Sequence, residues 1–525
     1  MPDVIERARR LLGFFRESLR REGNCHDQDN RQGEDNRQGE EEGWVSWDPH
    51  PWRHPWLTPG NLRRIKLFSQ EFLEREKLAL NDFDPSRLKV GFCGNMANSL
   101  YLRARGLRRT GMQCHIFLHP HDQYVMGHPV WEELDITLNS ETLLLAELAR
   151  GGVDLQGVPD VHQFVGVSDW KPSYEAAGGG WLREADISNY QPYLAYVQTL
   201  VALQDMDVLW GSSSGVYLAY LANRPYVVSQ TGGDIWFEAS RNDMLGHLVR
   251  TSFARGRVFL ASNPWTFAHA RRYGFHHVIY LPLTLDETHY TEGQGTSRQD
   301  WQSTGGSFFV LSSSRLDERN KGSSVGIEGF ALFARNHPGA RLVLIGWGAG
   351  SKDTRLLVDT LGIADRVIYL PVSAKGRIRD YLRSADVFLD QFVLGYFGSG
   401  GLEAMACGLP VIGRIEADQY EALCDTGAPP ILNARTSEEV AMHLHSLASD
   451  CGGHRHVREA TRQWFLENHS SQRWQQEYLS VLASTASGMA ADFSGTPLLA
   501  ELSFEEQVYH AEGLKAAPPF PDYGW

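Results

Sequence analysis

No stretch of this 525-residue chain approaches the roughly 18 uninterrupted apolar residues that a membrane-crossing helix needs. The N-terminus also lacks the continuous apolar run of a secretory signal, so a cytoplasmic protein is expected. A basic excess is missing as well. With 50 Lys and Arg against 64 Asp and Glu the net charge is −14, which argues against nucleic acid as a main partner, because phosphate-backbone binding normally needs a basic surface. The six cysteines, Cys25, Cys93, Cys114, Cys407, Cys424 and Cys451, show no paired metal spacing, and several read as small core residues of apolar segments in a reducing compartment. His115, His119, His121 and His128 cluster around Asp122 but fit no standard zinc pattern, so no metal is expected. Gly346, Gly348 and Gly350 read as a turn after a strand; a lone glycine triplet is weak evidence for a dinucleotide fingerprint. What is present suits a soluble globular protein too long for one core, with 42% hydrophobic and 22% charged residues.

The most informative stretch is 397–412. Gly398, Ser399, Gly400 and Gly401 lead into a short apolar helix and would leave several backbone N–H groups free at its N-terminus, where the oxygens of a nucleotide diphosphate are welcome. Glu403, inside the same turn, is stabilised as an anion by the helix dipole and repelled by phosphate, so its two acceptor oxygens suit a ribose diol. Taken alone, such a glutamate reads more readily as a cap or ion-pair partner; its surroundings favour the ligand reading. Gly408 and Pro410 end the helix before the strand-like Val411-Ile412.

Upstream, 307–311 reads as a strand running into Ser312-Ser313-Ser314-Arg315-Leu316-Asp317 and Asn320-Lys321-Gly322, followed by an apolar-striped helix. Arg315 and Lys321 thus fall near the carboxyl end of the strand, where open α/β sheets bind ligands. Two cations there are placed for a diphosphate. Further apolar runs at 341–345, 367–370 and 387–389 alternate with helical segments, the pattern of a parallel sheet covered on both faces.

The order of these pieces, Ser314-Arg315-Leu316, Lys321-Gly322, Leu344-Ile345-Gly346-Trp347-Gly348, 361–367, Ser384-Ala385-Asp386-Val387 and the Glu403 helix, resembles the C-terminal half of the retaining GT-B glycosyltransferases, the family-four group in particular, over about residues 307–470. The resemblance implies an α/β fold of two Rossmann-like domains facing a cleft. It implies sugar transfer from a nucleotide diphosphate sugar with retention of configuration, without metal or other cofactor. In it, Arg315 and Lys321 bind and stabilise the donor diphosphate and Glu403 holds the ribose. The family's usual earlier glutamate would fall on Gly395. Asp390, with Gln391 at the nearby strand end, either takes over sugar-hydroxyl contacts or serves as a turn residue.

A second Rossmann-like half is expected upstream. Residues 87–92 read as its first strand, and the loop after it offers Gly94 and Asn95 for close approach of the donor. Two later strands, at 207–210 and 226–228, end an acceptor domain. Where many relatives carry a histidine, this chain has Thr231, followed by Gly232-Gly233-Asp234. Asp234 either orients an acceptor or donor hydroxyl or caps the following helix.

The expected domains are an N-terminal extension (1–86), an acceptor domain (87–285), an interdomain linker (286–306), a donor domain (307–471) and a C-terminal helix and tail (472–525). The first 21 residues form an amphipathic stripe that either lies on an anionic membrane or packs against protein. Asp29-Asn30-Arg31-Gln32-Gly33-Glu34 is repeated unchanged at 35–40, reading as a flexible acidic linker. Trp44, Trp47, Trp52 and Trp56 either pack or contact carbohydrate. A carbohydrate, lipid-linked or small-molecule acceptor is expected. Two alternatives stay open: a nucleotide-sugar-binding scaffold that has lost transfer, and a sugar-nucleotide epimerase on the same fold.

Overall fold

The near-continuous apolar runs become strands buried on both faces, as parallel sheets require. The computed structural model describes residues 53–78, 83–118, 125–138, 161–163, 166–213, 215–500 and 502. One sheet contains β1 (Lys89–Cys93), β2 (Gln113–Leu118), β3 (Val161–Gln163), β4 (Val208–Ser212), β5 (Tyr226–Ser229), β6 (Phe259–Ala261) and β7 (Val278–Tyr280), in the order β3-β2-β1-β4-β5-β6-β7. The other contains β8 (Phe308–Ser312), β9 (Ala340–Ile345), β10 (Val367–Leu370), β11 (Val387–Leu389), β12 (Val411–Gly413) and β13 (Leu432–Asn433), in the order β10-β9-β8-β11-β12-β13. Pairing is parallel throughout both. Strand order reverses between β1 and β4 and again between β8 and β11. Ligands of open α/β sheets settle beyond the carboxyl ends of the strands at such points. That places the loops carrying Gly94 and Ser213 at one crevice, and those carrying Arg315, Lys321 and Asp390 at the other.

The helices that bear on the site are α1 (Pro59–Leu78), α2 (Ser99–Arg108), α3 (Val130–Glu133), α4 (Lys375–Ser384), α5 (Ser399–Ala406) and α6 (Ser471–Ala486). α6 follows the second sheet in sequence yet buries Trp474, Tyr478 and Leu482 with Phe92 and Trp210 of the first. α1 spans both domains: it packs on β7 and on the helix Ala417–Leu423, Lys66 pairs with Asp425 at 2.9 Å, and Glu76 pairs with Arg257 at 2.8 Å. Its buried Leu62, Ile65, Phe68, Phe72 and Leu73 follow helical spacing, a signal passed over when 1–86 is read only as an extension.

The segment 286–306, expected as a linker, is packed rather than loose. Asp286 accepts from Arg105 and Arg109 at 3.0 and 2.9 Å, Tyr290 and Trp301 are buried, and Asp380 accepts from the Thr296 and Ser297 amides at 2.6 and 3.0 Å. Two aromatics among its polar residues supply the apolar surface that anchors it.

Residues 1–21, the acidic repeat, Trp44, Trp47 and Trp52, and His119, His121 and Asp122 lie outside the described residues. Trp56 packs: the Arg271 guanidinium sits 4.9 Å from its ring centroid. Among the described residues no helix is long and apolar enough to cross a membrane. No group of three or more His, Cys, Asp or Glu among them could hold a metal ion.

Candidate functional site

α5 begins without a side-chain cap. Gly398 is extended and its N–H donates to Asp390 Oδ2 at 2.7 Å. The first turn closes with Leu402 N–H donating to Gly398 O at 3.1 Å. The N–H groups of Ser399, Gly400 and Gly401 precede any intrahelical acceptor, so they point outward as anion donors. A side chain at Gly401 would put its Cβ 2.6 Å from Asp390 Oδ2, which is why the loop can lie on that carboxylate. The helix ends on Gly408, whose φ of +65° is left-handed, as its sequence suggests.

Asp390 is buried beneath this loop, and its Oδ1 has no hydrogen-bond partner. Burial pushes its carboxyl up, opposed chiefly by Lys321. Lys321 donates to Gln391 Oε1 at 2.5 Å, and burial pulls its ammonium pKa down against the support of Asp390. The expected cation therefore sits under the glycine loop. Arg315 lies at the rim, its side chain 50% exposed and 3.7 Å from Asp317. Its loop is tied to the one after β9 by Leu316 N–H donating to Trp347 O and by the Trp347 indole donating to Ser313 O, at 2.9 and 3.0 Å.

Glu403 is buried, and both its oxygens accept from Lys375 Nζ, at 2.5 and 2.7 Å. The ion-pair reading is thus realised. The ligand reading survives it, because each carboxylate oxygen has a second acceptor site. Lys375 was missed in the sequence. Its only signal there is position: with Ile378, Arg379 and Leu382 it falls on the buried stripe of α4, an unusual place for a lysine.

In the first domain, Gly94 (φ +82°) runs so close to β4 that a Cβ would lie 2.3 Å from Ser212 O. The side chain of Asn95, named with Gly94 for close approach of the donor, is bonded to the scaffold. Its Nδ2 donates to Asn98 Oδ1 and Gly127 O at 2.8 and 3.0 Å, and its Oδ1 accepts from Tyr101 N–H at 2.9 Å. A short amide at a turn readily bonds nearby backbone. Asp234 is buried and accepts from the N–H groups of Ser213, Thr231, Gly232 and Ile235, at 3.0, 3.0, 3.0 and 2.8 Å. Burial raises its carboxyl pKa and those amides oppose the rise. Its role in the fold is not the expected cap, since Gly233 is the N-cap residue; Asp234 instead ties the β4 loop to the β5 loop. Thr231 is partly exposed beside it. Beyond lie Trp236, the 56% exposed Phe237 stacked on it, and Trp265, which meets Tyr396 of the second domain at 5.6 Å between centroids. This aromatic bridge was also missed; its members are far apart in sequence.

Residues 294–464 match the family described as glycosyl transferases group 1. That match lies on the second domain and covers about a third of the chain. Among curated proteins, the chain is similar to the D-inositol 3-phosphate glycosyltransferase of Acidothermus cellulolyticus, 36% identical over 101 residues, or 18% of this chain and 22% of that protein. It is also similar to the mannosylfructose-phosphate synthase of Agrobacterium fabrum, 29% identical over 157 residues, or 28% of this chain and 34% of that one. The chain therefore spans between about a fifth and a third of these relatives' lengths. Among solved structures, Anabaena HepE in complex with UDP-glucose superposes with a TM-score of 0.53 at 15% identity, covering 76% of this chain and all of that one. The N-terminal domain of Candida albicans trehalose-6-phosphate phosphatase gives 0.51 at 14% identity, covering 77% and 98%. At these identities the likeness is one of fold, and the fold is GT-B.

Proposed function

We propose that this group 1 protein moves a glycosyl group from a nucleotide diphosphate sugar to an acceptor, with retention of configuration. The observation that carries this reading is the convergence at the second sheet's switch point of three outward N–H groups (Ser399, Gly400, Gly401), the Lys321 ammonium and the Glu403 carboxylate. The amides and Lys321 suit a diphosphate, Arg315 at the rim suits its outer oxygens, and Glu403 suits the ribose. HepE, which shares the fold, is a complex with UDP-glucose.

As the bond to the sugar breaks, negative charge grows on the departing diphosphate. A cation and a helix N-terminus already aimed there stabilise it without reorganisation, an effect worth about 10²–10³ in kcat per donor removed. No metal is needed for this step. Asp234 is held by amides, and Asp390 is buried beneath the glycine loop with Oδ2 accepting from Gly398 N–H, so neither is read as a covalent nucleophile. That favours a front-face route in which the leaving phosphate oxygen takes the acceptor's proton. A carbohydrate, lipid-linked or small-molecule acceptor would lie against the Thr231 loop of the first domain. A cytoplasmic site of action, with residues 1–21 as a peripheral membrane contact, completes the proposal.

The test is a thermal-shift screen over UDP-, GDP- and ADP-sugars, followed by product analysis with candidate acceptors. A ligand at about 100 times its Kd adds roughly 2.7 kcal/mol of stability, and Lys321→Ala should abolish the shift. Glycosylated product supports transfer; binding without product supports the scaffold reading; an isomerised donor supports the epimerase.

A further inference from the structure

α4 presents two buried cations four residues apart, Lys375 and Arg379. Lys375 grips both oxygens of Glu403, and its ammonium lies 4.8 Å from the ring centroid of Trp131. Arg379 Nη1 donates to Glu132 Oε1 at 3.1 Å and to its carbonyl oxygen at 3.2 Å, and the Tyr290 hydroxyl donates to the same Oε1 at 2.7 Å. Trp131 and Glu132 belong to α3 of the first domain.

The segment carrying them is joined to the second domain by backbone hydrogen bonds. Leu138 N–H donates to Val372 O, Ala374 N–H to Ile136 O and Gly376 N–H to Leu134 O, at 2.6, 2.9 and 3.0 Å. The Trp131 indole donates to Ser373 O at 3.1 Å, and Val130, Trp131, Leu138 and Ala374 share one apolar cluster. At its other end the segment is held by the loop after β1, through Asn95 Nδ2 on Gly127 O and Asn98 Nδ2 on His128 O, both at 3.0 Å. A continuous chain of contacts thus runs from the β1 loop, through α3 and α4, to Glu403.

We propose that Lys375 is a positioning residue that aims Glu403 at the donor ribose, and that α3 makes this grip depend on the seating of the first domain against α4. The proposal rests on the donor reading above. An unheld glutamate, one turn inside the helix as Glu403 is, samples several rotamers. Lys375 fixes this one at two points while occupying one acceptor site on each oxygen, leaving the other free for the 2′ and 3′ hydroxyls. The Trp131 ring covers the ammonium and keeps water from competing for it. A purely structural ion pair would hold the fold and leave ribose recognition untouched.

The test uses the full chain and whichever of UDP, GDP or ADP gives the largest thermal shift, compared with its 2′-deoxy counterpart by calorimetry. Hydrogen bonds to a charged group are strong enough that the wild type should prefer the ribonucleotide on the order of tenfold to a hundredfold. Lys375→Met should weaken ribonucleotide binding more than 2′-deoxy binding, which keeps only the 3′ hydroxyl on Glu403, so that most of the preference is lost. Lys375→Arg should recover part of the preference. Trp131→Leu, in the other domain, should give an intermediate loss, and it carries the test alone if Lys375→Met does not fold. Variants that melt like the wild type and keep the full ribose preference would overturn the proposal. A wild type that ignores the 2′ hydroxyl, or binds none of the three nucleotides, would instead bring down the donor reading beneath it.

Discussion

Lys321 is a half-buried lysine supported chiefly by one buried carboxylate, Asp390, and its pKa lies below the ordinary lysine value because desolvation penalises its charge. A diphosphate set against it favours the charged form. Between the depressed pKa and the higher pKa that a bound diphosphate gives it, binding must therefore take up a proton, and affinity must fall as pH rises. Nucleoside diphosphate affinity should decline as pH rises through the alkaline range, before an ordinary lysine titrates. Lys321→Arg, whose guanidinium stays charged, should lack that alkaline loss. Calorimetry in buffers of differing ionisation enthalpy would report the proton directly; a wild-type Kd flat across this range would refute the assignment. Asp234 poses a different question, since its carboxylate serves four backbone amides. Asp234→Ala strands buried donors and should lower unfolding free energy by roughly 3 kcal/mol, measured by chemical denaturation. A variant that melts normally yet has lost turnover would revive the substrate-contact reading.

At the scale of elements, α5 and its glycine loop are the piece that makes an anion site, and Gly401 is its tightest point. Gly401→Ala drives a methyl against Asp390 Oδ2, so the loop must lift or the carboxylate must turn. Nucleotide affinity should drop at least about tenfold, for a stability cost of about 1–3 kcal/mol; unchanged affinity in a titration would show that the loop's seat on Asp390 is irrelevant to binding. This element was legible because its determinants are local: Gly398 and Gly408 bound it, and a lone glutamate in an apolar helix is conspicuous, although the helix starts at Ser399 and so sets Glu403 just past the first turn where it was expected. The strands were legible for the same reason, as short apolar runs. Lys375 and α3 were not. Their meaning comes from contacts with Glu403, 28 positions away, and with Glu132, 247 positions from Arg379, and no local pattern encodes a partner across a domain boundary. Asn95 poses a different difficulty: a loop amide after a first strand fits ligand approach and loop bracing equally, and its bonds to Asn98, Tyr101 and Gly127 are visible only in three dimensions.

On the scale of the whole molecule, both sheets are tied to shared elements: α1 touches each domain, α6 crosses from the second to the first, and the Leu285–Ser470 bridge joins the two crossings. Buried histidines are distributed over the same framework. His128 stands beside α3, with its Nδ1 accepting from Val130 N–H at 3.1 Å. His277 bonds Phe253 O at 2.8 Å, and His469 bonds Leu283 O at 2.7 Å where the chain crosses. Burial pulls each of these three pKa values down to about 4, and that of His269 to about 3, from an unfolded value near 6.5. Between about pH 6.5 and 4 the unfolded chain binds protons that the folded chain refuses, so stability is intact above that window and falls as pH drops through it. Each such histidine contributes up to about 1.4 kcal/mol per pH unit, and the shared helices should make the domains fail together. Denaturant midpoints measured from pH 7.5 to 4.5 should therefore fall steeply in a single transition, and His469→Gln should lessen the slope by up to one proton. Two separate transitions, or a midpoint indifferent to acid, would show that the domains are less firmly joined, or these rings less deeply buried, than their contacts imply.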